Sequence, residues 1–271
     1  MLNNQTDNFP NRIVCLTEET VETLYLLGEQ DRIVGVSGFA VRPPQVRKEK
    51  PIVSTFTDAD VEKIMALQPD LVIGFSDIQA NIAKALIERG VTVWVNNYRS
   101  VNGILSMISQ LGGMIGKADA AQQLVERLKS NIDSFASIAK TRDKKPKVYF
   151  EEWFDPLISG IRWVSELVEL AGGIDIYAEK RDASLARDRI IADKNDVVNR
   201  NPDIILASWC GKMFKKEKLV ARENWRNITA VKNDFVFEIK SSIILQPGPA
   251  AITDGIQAIA DVVNKWHMLN G

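Results

Sequence analysis

The stretch that most constrains this chain is residues 118–145, which contain neither Pro nor Gly and lie between two regions of β/α rhythm. Within it Ala121, Leu124, Val125, Leu128, Ile132 and Phe135 recur at helical spacing, which predicts one long helix from Lys117 to about Lys140. At about 1.5 Å per residue it would be on the order of 35 Å long. That exceeds what one small lobe needs and suits a bridge between two. A length of 271 residues leaves each lobe enough chain to bury its own core.

The flanks agree with this division. Arg12–Leu16 (RIVCL) and Arg32–Val36 (RIVGV) read as strands around a helix, with Thr17 as N-cap, Glu18 and Glu19 in the first turn, and Gly28 as the stop. A helix from about Asp58 to Leu67, the strand LVIGF, an amphipathic helix marked by Ile78, Ile82 and Leu86, and the strand VTVWV complete a β-α-β-α-β order. After TRDKKPK the rhythm restarts with the strand VYFE and a helix from about Trp163 to Leu170. Gln68-Pro69-Asp70 before LVIG is echoed by Asn201-Pro202-Asp203 before IILA. Two copies fit a pair of related lobes better than a solenoid, although the unit is common enough in α/β proteins for coincidence to stay open. The expected fold is α/β: two lobes, residues 11–116 and 145–271, each a small mostly parallel sheet with covering helices. A single long α-helix, residues 117–144, would bridge them.

Composition narrows function mainly by exclusion. Thirty-four Lys and Arg against 35 Asp and Glu give a net charge of −1, which argues against nucleic-acid or anionic-membrane partners. One histidine, His267, and two cysteines, Cys15 and Cys210, argue against histidine metal sites, histidine-based nucleophilic enzymes and a disulfide framework. No metal ligands are assigned. No run approaches the roughly 20 apolar residues of a membrane span. The first eleven residues are polar and read as no secretory signal, so a cytoplasmic address and a signal outside the chain both stay open.

In open α/β sheets ligands sit beyond the carboxyl ends of the strands, and in two-lobed proteins at the lobe interface. Applied here, that rule selects Ser37, Phe39, Arg42, Thr55, Phe56, Phe75, Ser76 and Asp77 in the first half. In the second it selects Glu151, Glu152, Trp153, Trp209, Cys210, Lys212 and the stretch Ser242–Gln246. Phe56, Phe75, Trp153 and Trp209 read as following strands, where they could wall a cleft or cap the sheets as satellite core. Glu151 and Glu152 could accept ligand donors or act as acid and base, but neighbours on a strand face opposite ways, so at most one would enter a cleft. Arg162 could neutralise either of them or hold a ligand carboxylate or phosphate. Arg187 and Arg189 read as solvated surface. Pro249 reads as the first residue of the last helix.

These residues resemble a known family. Nearly the whole chain, and most closely RIVGVSGFAVRPPQVRKEKPIVSTFTDADVEKIMALQPDLVIGF, resembles substrate-binding proteins of ABC importers for cobalamin and ferric siderophores, closest to the cobalamin branch. The segment EEWFDPLISGIRWVSELVELAGG is similar to a signal-less subgroup commonly labelled cobalamin-binding. The resemblance implies a non-catalytic, monomeric protein holding a corrinoid, or else a ferric siderophore or other organic metal chelate, between its lobes, with no cofactor required. It also implies a periplasmic or cell-surface address and an ABC permease as partner. Phe56, Phe75 and Trp153 fall on aromatic positions of the cobalamin branch. Val41-Arg42 stands where that branch usually has Asp-Tyr, so a stacking ring is exchanged for a cation. Glu62 matches the acidic residue that docks the first lobe to a permease. In the second lobe the repeat places Asn195 there, with Asp196 beside it. The ligand contacts expected in all are Phe39, Arg42, Phe56, Phe75, Glu151, Glu152, Trp153, Arg162, Trp209 and Gln246. A cytoplasmic corrinoid carrier or sensor without a permease, and an enzyme built on Glu151, Glu152 and Cys210, are the alternatives.

Overall fold

A computed structural model describes residues 8–270, so most of the polar N-terminal stretch lies outside the described residues. The chain forms two compact units. One comprises the chain up to Tyr98 together with Asn102–Arg127, and the other Arg99–Val101 and the chain from Leu128 onward. The long helix spans Ala118–Lys140 and carries the chain from one unit into the other. Its apolar stripe is buried at Ala121, Leu124, Val125 and Leu128. Gly112, on the preceding helix Val101–Met114, permits close approach: a Cβ there would lie 2.2 Å from the Cβ of Ala121.

The first unit holds five parallel strands, β1 (Ile13–Cys15), β2 (Ile33–Ser37), β3 (Ile52–Ser54), β4 (Leu71–Phe75) and β5 (Val93–Asn96), in the order β3-β2-β1-β4-β5. The order reverses between β1 and β4, so the chain wraps outward in both directions from that pair. Val14, Leu16, Val53, Ile64, Val72, Ile82 and Leu86 pack into one core. The helix Glu18–Leu26 begins after Thr17, whose hydroxyl donates to the Glu19 carboxylate (2.6 Å) and makes no capping bond to the backbone. The second predicted helix is shorter than expected, Val61–Ala66, with Asp60 as its N-cap accepting from the Lys63 N–H.

The second unit is built on β6 (Lys147–Phe154), with β7 (Leu157–Ser159), β8 (Ile174–Asp175), β9 (Ile190–Ile191), β10 (Ile204–Ala207) and β11 (Val236–Glu238). The order is β11-β10-β6-β7-β9, with β8 also pairing β6. β6, β8, β10 and β11 run parallel, whereas β7 pairs antiparallel with both β6 and β9. The hairpin corrects one expectation. Pairing with β7 extends β6 through Phe154, so Trp153 lies within a strand and does not follow one. Phe75 likewise is the last residue of β4 and is 5 % exposed.

The echoed Pro-Asp units have matching geometry. Gln68 and Asn201 each adopt a left-handed backbone, at φ 49° and 47°. The Asp70 N–H donates to the carbonyl of Arg12 (3.0 Å), and its carboxylate accepts from the Arg12 N–H (3.0 Å). Asp203 does the same to Lys147, at 2.8 Å in each direction. Each Asp therefore clasps its unit's first strand at its entry, through the residue just before β1 in one unit and the first residue of β6 in the other.

Candidate functional site

At the carboxyl end of the first sheet the organising residue is Gln79, fully buried just after β4. Its amide accepts from the Phe75 N–H (2.9 Å) and donates to the carbonyls of Leu16 (3.2 Å) and Phe56 (3.0 Å), tying together the ends of three strands. Phe56 is held half-buried and Phe75 buried, while Phe39 is 40 % exposed. Arg42 donates to Glu22 (3.0 Å), so this cation is already paired with a carboxylate of the first helix.

Buried polar groups gather at the same edge. Glu18 and Glu19 follow β1 and are 5 % and 2 % exposed, each with one carboxylate oxygen lacking a partner. Burial, reinforced by the neighbouring Glu19, pushes Glu18 up to about 8. Burial pushes Glu19 up to about 7 against the opposing hydrogen bond from Thr17. The Ser54 hydroxyl and the Asn96 amide, ending β3 and β5, are also buried and unpartnered. Buried polar atoms are ordinarily satisfied, and these four residues stand at or just beyond the carboxyl ends of β1, β3 and β5, spread across the width of the sheet. Only the acidic first turn of the helix was visible in the sequence; its burial was not.

In the second unit the expected acidic pair is committed internally. Glu151 is fully buried, and its carboxylate accepts from both terminal nitrogens of Arg222 (2.5 and 3.0 Å), from the Trp209 indole (2.9 Å) and from the Tyr149 hydroxyl (3.2 Å). Glu152, at the register shift between β6 and β7, is held separately in a two-pronged pair by Arg189 (2.6 and 2.9 Å). Arg189 is 1 % exposed, which corrects its reading as solvated surface. Arg162 neutralises neither glutamate. It is exposed and pairs with Glu166 (2.8 Å) and Asp182 (3.1 Å). Arg222, which sequence reasoning passed over, lies 71 positions from its partner and left no local signal.

Trp209 follows β10 as expected but is 3 % exposed, buried because its N–H seeks Glu151. Ring contacts run from Trp153 to Phe154 (5.3 Å), on to Trp209 (4.9 Å) and then to Phe214 (4.9 Å). Trp153 and Phe154 stay half-buried, and the Trp153 indole donates to the Asp155 carbonyl (3.0 Å). Gln246 is half-buried in the turn before the last helix. Cys15 is buried, and burial raises its thiol to about 12, whereas Cys210 is exposed. Glu62 stands on an exposed helix face beside Arg89, and Asp196 accepts from Tyr177 (3.0 Å) and Arg200 (2.9 Å).

Two largely parallel α/β units with polar and aromatic side chains at their strand ends define a solute-binding class of fold. A family model described as periplasmic binding protein matches residues 13–243, and the chain belongs to that family. It is 28% identical over 260 residues to an uncharacterized ABC transporter substrate-binding lipoprotein, YvrC, of Bacillus subtilis, covering 94% of this chain and 80% of that one. Its fold is similar to that of the periplasmic vitamin B12 binding protein BtuF of Vibrio cholerae, with a TM-score of 0.75 and 21% identity over 95% of this chain and 98% of that one. It is also similar to that of S. aureus IsdE complexed with heme, with a TM-score of 0.78 and 22% identity over 94% and 99%. Among the described residues no helix is long and apolar enough to cross a membrane.

Proposed function

We propose that this chain is the solute-binding component of an ABC importer and that its ligand is a corrinoid. The observation that carries the reading is that the carboxyl ends of the first sheet's strands bear both polar side chains with unpartnered buried atoms (Glu18, Glu19, Ser54, Asn96) and the half-buried ring of Phe56. The half-buried Trp153 and Phe154 at the corresponding end of β6 support it. A corrinoid is a large, partly apolar ring bearing amide donors and acceptors, and it suits aromatic contact bordered by polar atoms. Similarity over 94% of this chain to a substrate-binding lipoprotein, and over 95% to the fold of a vitamin B12 binding protein, supports the same class. The chain would act as a monomer outside the cytoplasmic membrane and needs no cofactor. No reaction is assigned: Glu151 and Glu152 are offset by separate arginines, which leaves no free carboxylate pair for acid–base work.

Calorimetric titration with cyanocobalamin, cobinamide and ferric chelates tests the ligand. One-to-one binding of a corrinoid is expected, and silence at about 100 μM for both corrinoids would remove it. For the permease, Glu62 is the first-unit contact, with its side chain 74% exposed. Asp196 is proposed for the second unit, although Arg200 already offsets its charge. Glu62→Lys is expected to abolish importer-dependent uptake while leaving ligand affinity intact. Unchanged uptake would favour a carrier that docks to no permease.

A further inference from the structure

Charges at the carboxyl end of β6 are matched one for one. Arg222 offsets Glu151, Arg189 offsets Glu152, and Lys194 lies 3.5 Å from Asp155 at the β6–β7 turn. Lys212, in the loop after β10, stands outside this pairing. Its ammonium lies 3.9 Å from the centre of the Phe154 ring and 5.9 Å from that of Trp153, and among the described residues no carboxylate reaches it. The rings beneath it have their polar edges occupied from inside, the Trp153 N–H by the Asp155 carbonyl and the Trp209 N–H by Glu151. What this loop presents is half-buried aromatic surface with the Lys212 ammonium resting on it. A cation resting on an exposed ring is held more weakly than one hydrogen-bonded to an anion, so Lys212 is free in energy to exchange ring for anion.

We infer that Lys212 and the Trp153–Phe154 pair form an anion-selective aromatic platform, and that the ligand it accepts joins a flat apolar body to a phosphate, carboxylate or similar anionic group. For the natural ligand this rests on the solute-binding reading; for a simple probe it rests on the platform alone. In a corrinoid the group concerned is the nucleotide-loop phosphodiester, which cobinamide lacks.

The experiment titrates the full chain, its Lys212→Met variant and its Lys212→Arg variant with two fluorescent probes. One is 8-anilinonaphthalene-1-sulfonate; the other is N-phenyl-1-naphthylamine, the same rings without the sulfonate. Wild type is expected to favour the sulfonate by about tenfold. Lys212→Met should remove that preference without changing affinity for the neutral probe, and Lys212→Arg should keep it. Raising salt from about 0.02 to 0.5 M should weaken the preference in wild type, a check that needs no variant. A preference that is absent, insensitive to salt or unchanged in Lys212→Met overturns the inference. A parallel titration with cyanocobalamin and cobinamide separates the two readings. If neither corrinoid binds but the sulfonate preference depends on Lys212, the corrinoid ligand falls and the platform stands. If both corrinoids bind and Lys212→Met weakens them equally or not at all, the platform falls and the corrinoid ligand stands.

Discussion

Glu151 shows how a residue that looks available in sequence is consumed by its surroundings. A fully buried carboxylate must be paired, and the guanidinium of Arg222 supplies two parallel bonds while also lying over the Trp225 ring at 4.4 Å. Removing one partner of such a pair strands the other charge, which costs more than the pair itself contributes. Arg222→Met is therefore expected to destabilise the protein by about 3–5 kcal/mol in urea unfolding, and Glu151→Gln added to it should recover a large part of that loss. Equal stability of the single variant and wild type would contradict a structural role for the pair. Gln79 works in a similar way with neutral groups. Its three buried hydrogen bonds join strand ends that are far apart in sequence, and Gln79→Ala should cost roughly 2–3 kcal/mol and loosen Phe56. Neither the Arg222 partner of Glu151 nor the role of Gln79 could be read from sequence, since Arg222 lies 71 positions from Glu151 and Gln79 reaches Leu16 and Phe56 across 63 and 23.

Among the elements, the Pro-Asp units were legible because their chemistry is local. A left-handed residue ends the helix, Pro blocks its continuation, and Asp enters the strand. The structure adds the partner: each Asp grips the residue where the neighbouring strand begins, Arg12 just before β1 in one unit and Lys147, the first residue of β6, in the other. Asp70→Ala and Asp203→Ala should accordingly cost similar amounts, about 1–2 kcal/mol each, measured by thermal or urea unfolding. A large cost at one site and none at the other would count against the equivalence of the two units. The β6–β7 hairpin was missed for a complementary reason. β7 has only three residues, and the two-residue turn Asp155-Pro156 that joins it to β6 carries no Asn-Gly or Asp-Gly signal.

For the whole molecule, the buried carboxyls of Glu18 and Glu19 set a pH dependence with a definite sign. Both take up protons in the folded state at a pH above their ordinary carboxylate range, near 8 and near 7. The folded protein therefore binds protons more tightly than the unfolded chain. Their stabilising contribution is complete below about pH 4.5 and is lost as pH rises through 7 to 8. Glu29 acts in the opposite direction. Burial alone would raise it, but Lys117 and Arg32 hold it below its ordinary value, so its contribution is lost in acid. The contribution of this pair to the melting temperature is expected to fall between about pH 4.5 and pH 8, and a Glu18→Gln, Glu19→Gln double variant should flatten that fall. A fall that is just as steep in the double variant would assign it to other groups.

What the sequence determined by itself was whatever depends on neighbours within a few positions. That covers the 23-residue helix Ala118–Lys140, the parallel strands, the paired Pro-Asp turns and the family they belong to. Helical spacing, Pro and Gly act over one or two turns of chain, so they can be read directly. The tertiary structure alone decided which charges cancel. Arg222 meets Glu151 across 71 positions and Arg189 meets Glu152 across 37, which leaves Lys212 as the cation facing the aromatic edge. Charge pairing is a property of space, and only folding brings those side chains within bonding distance.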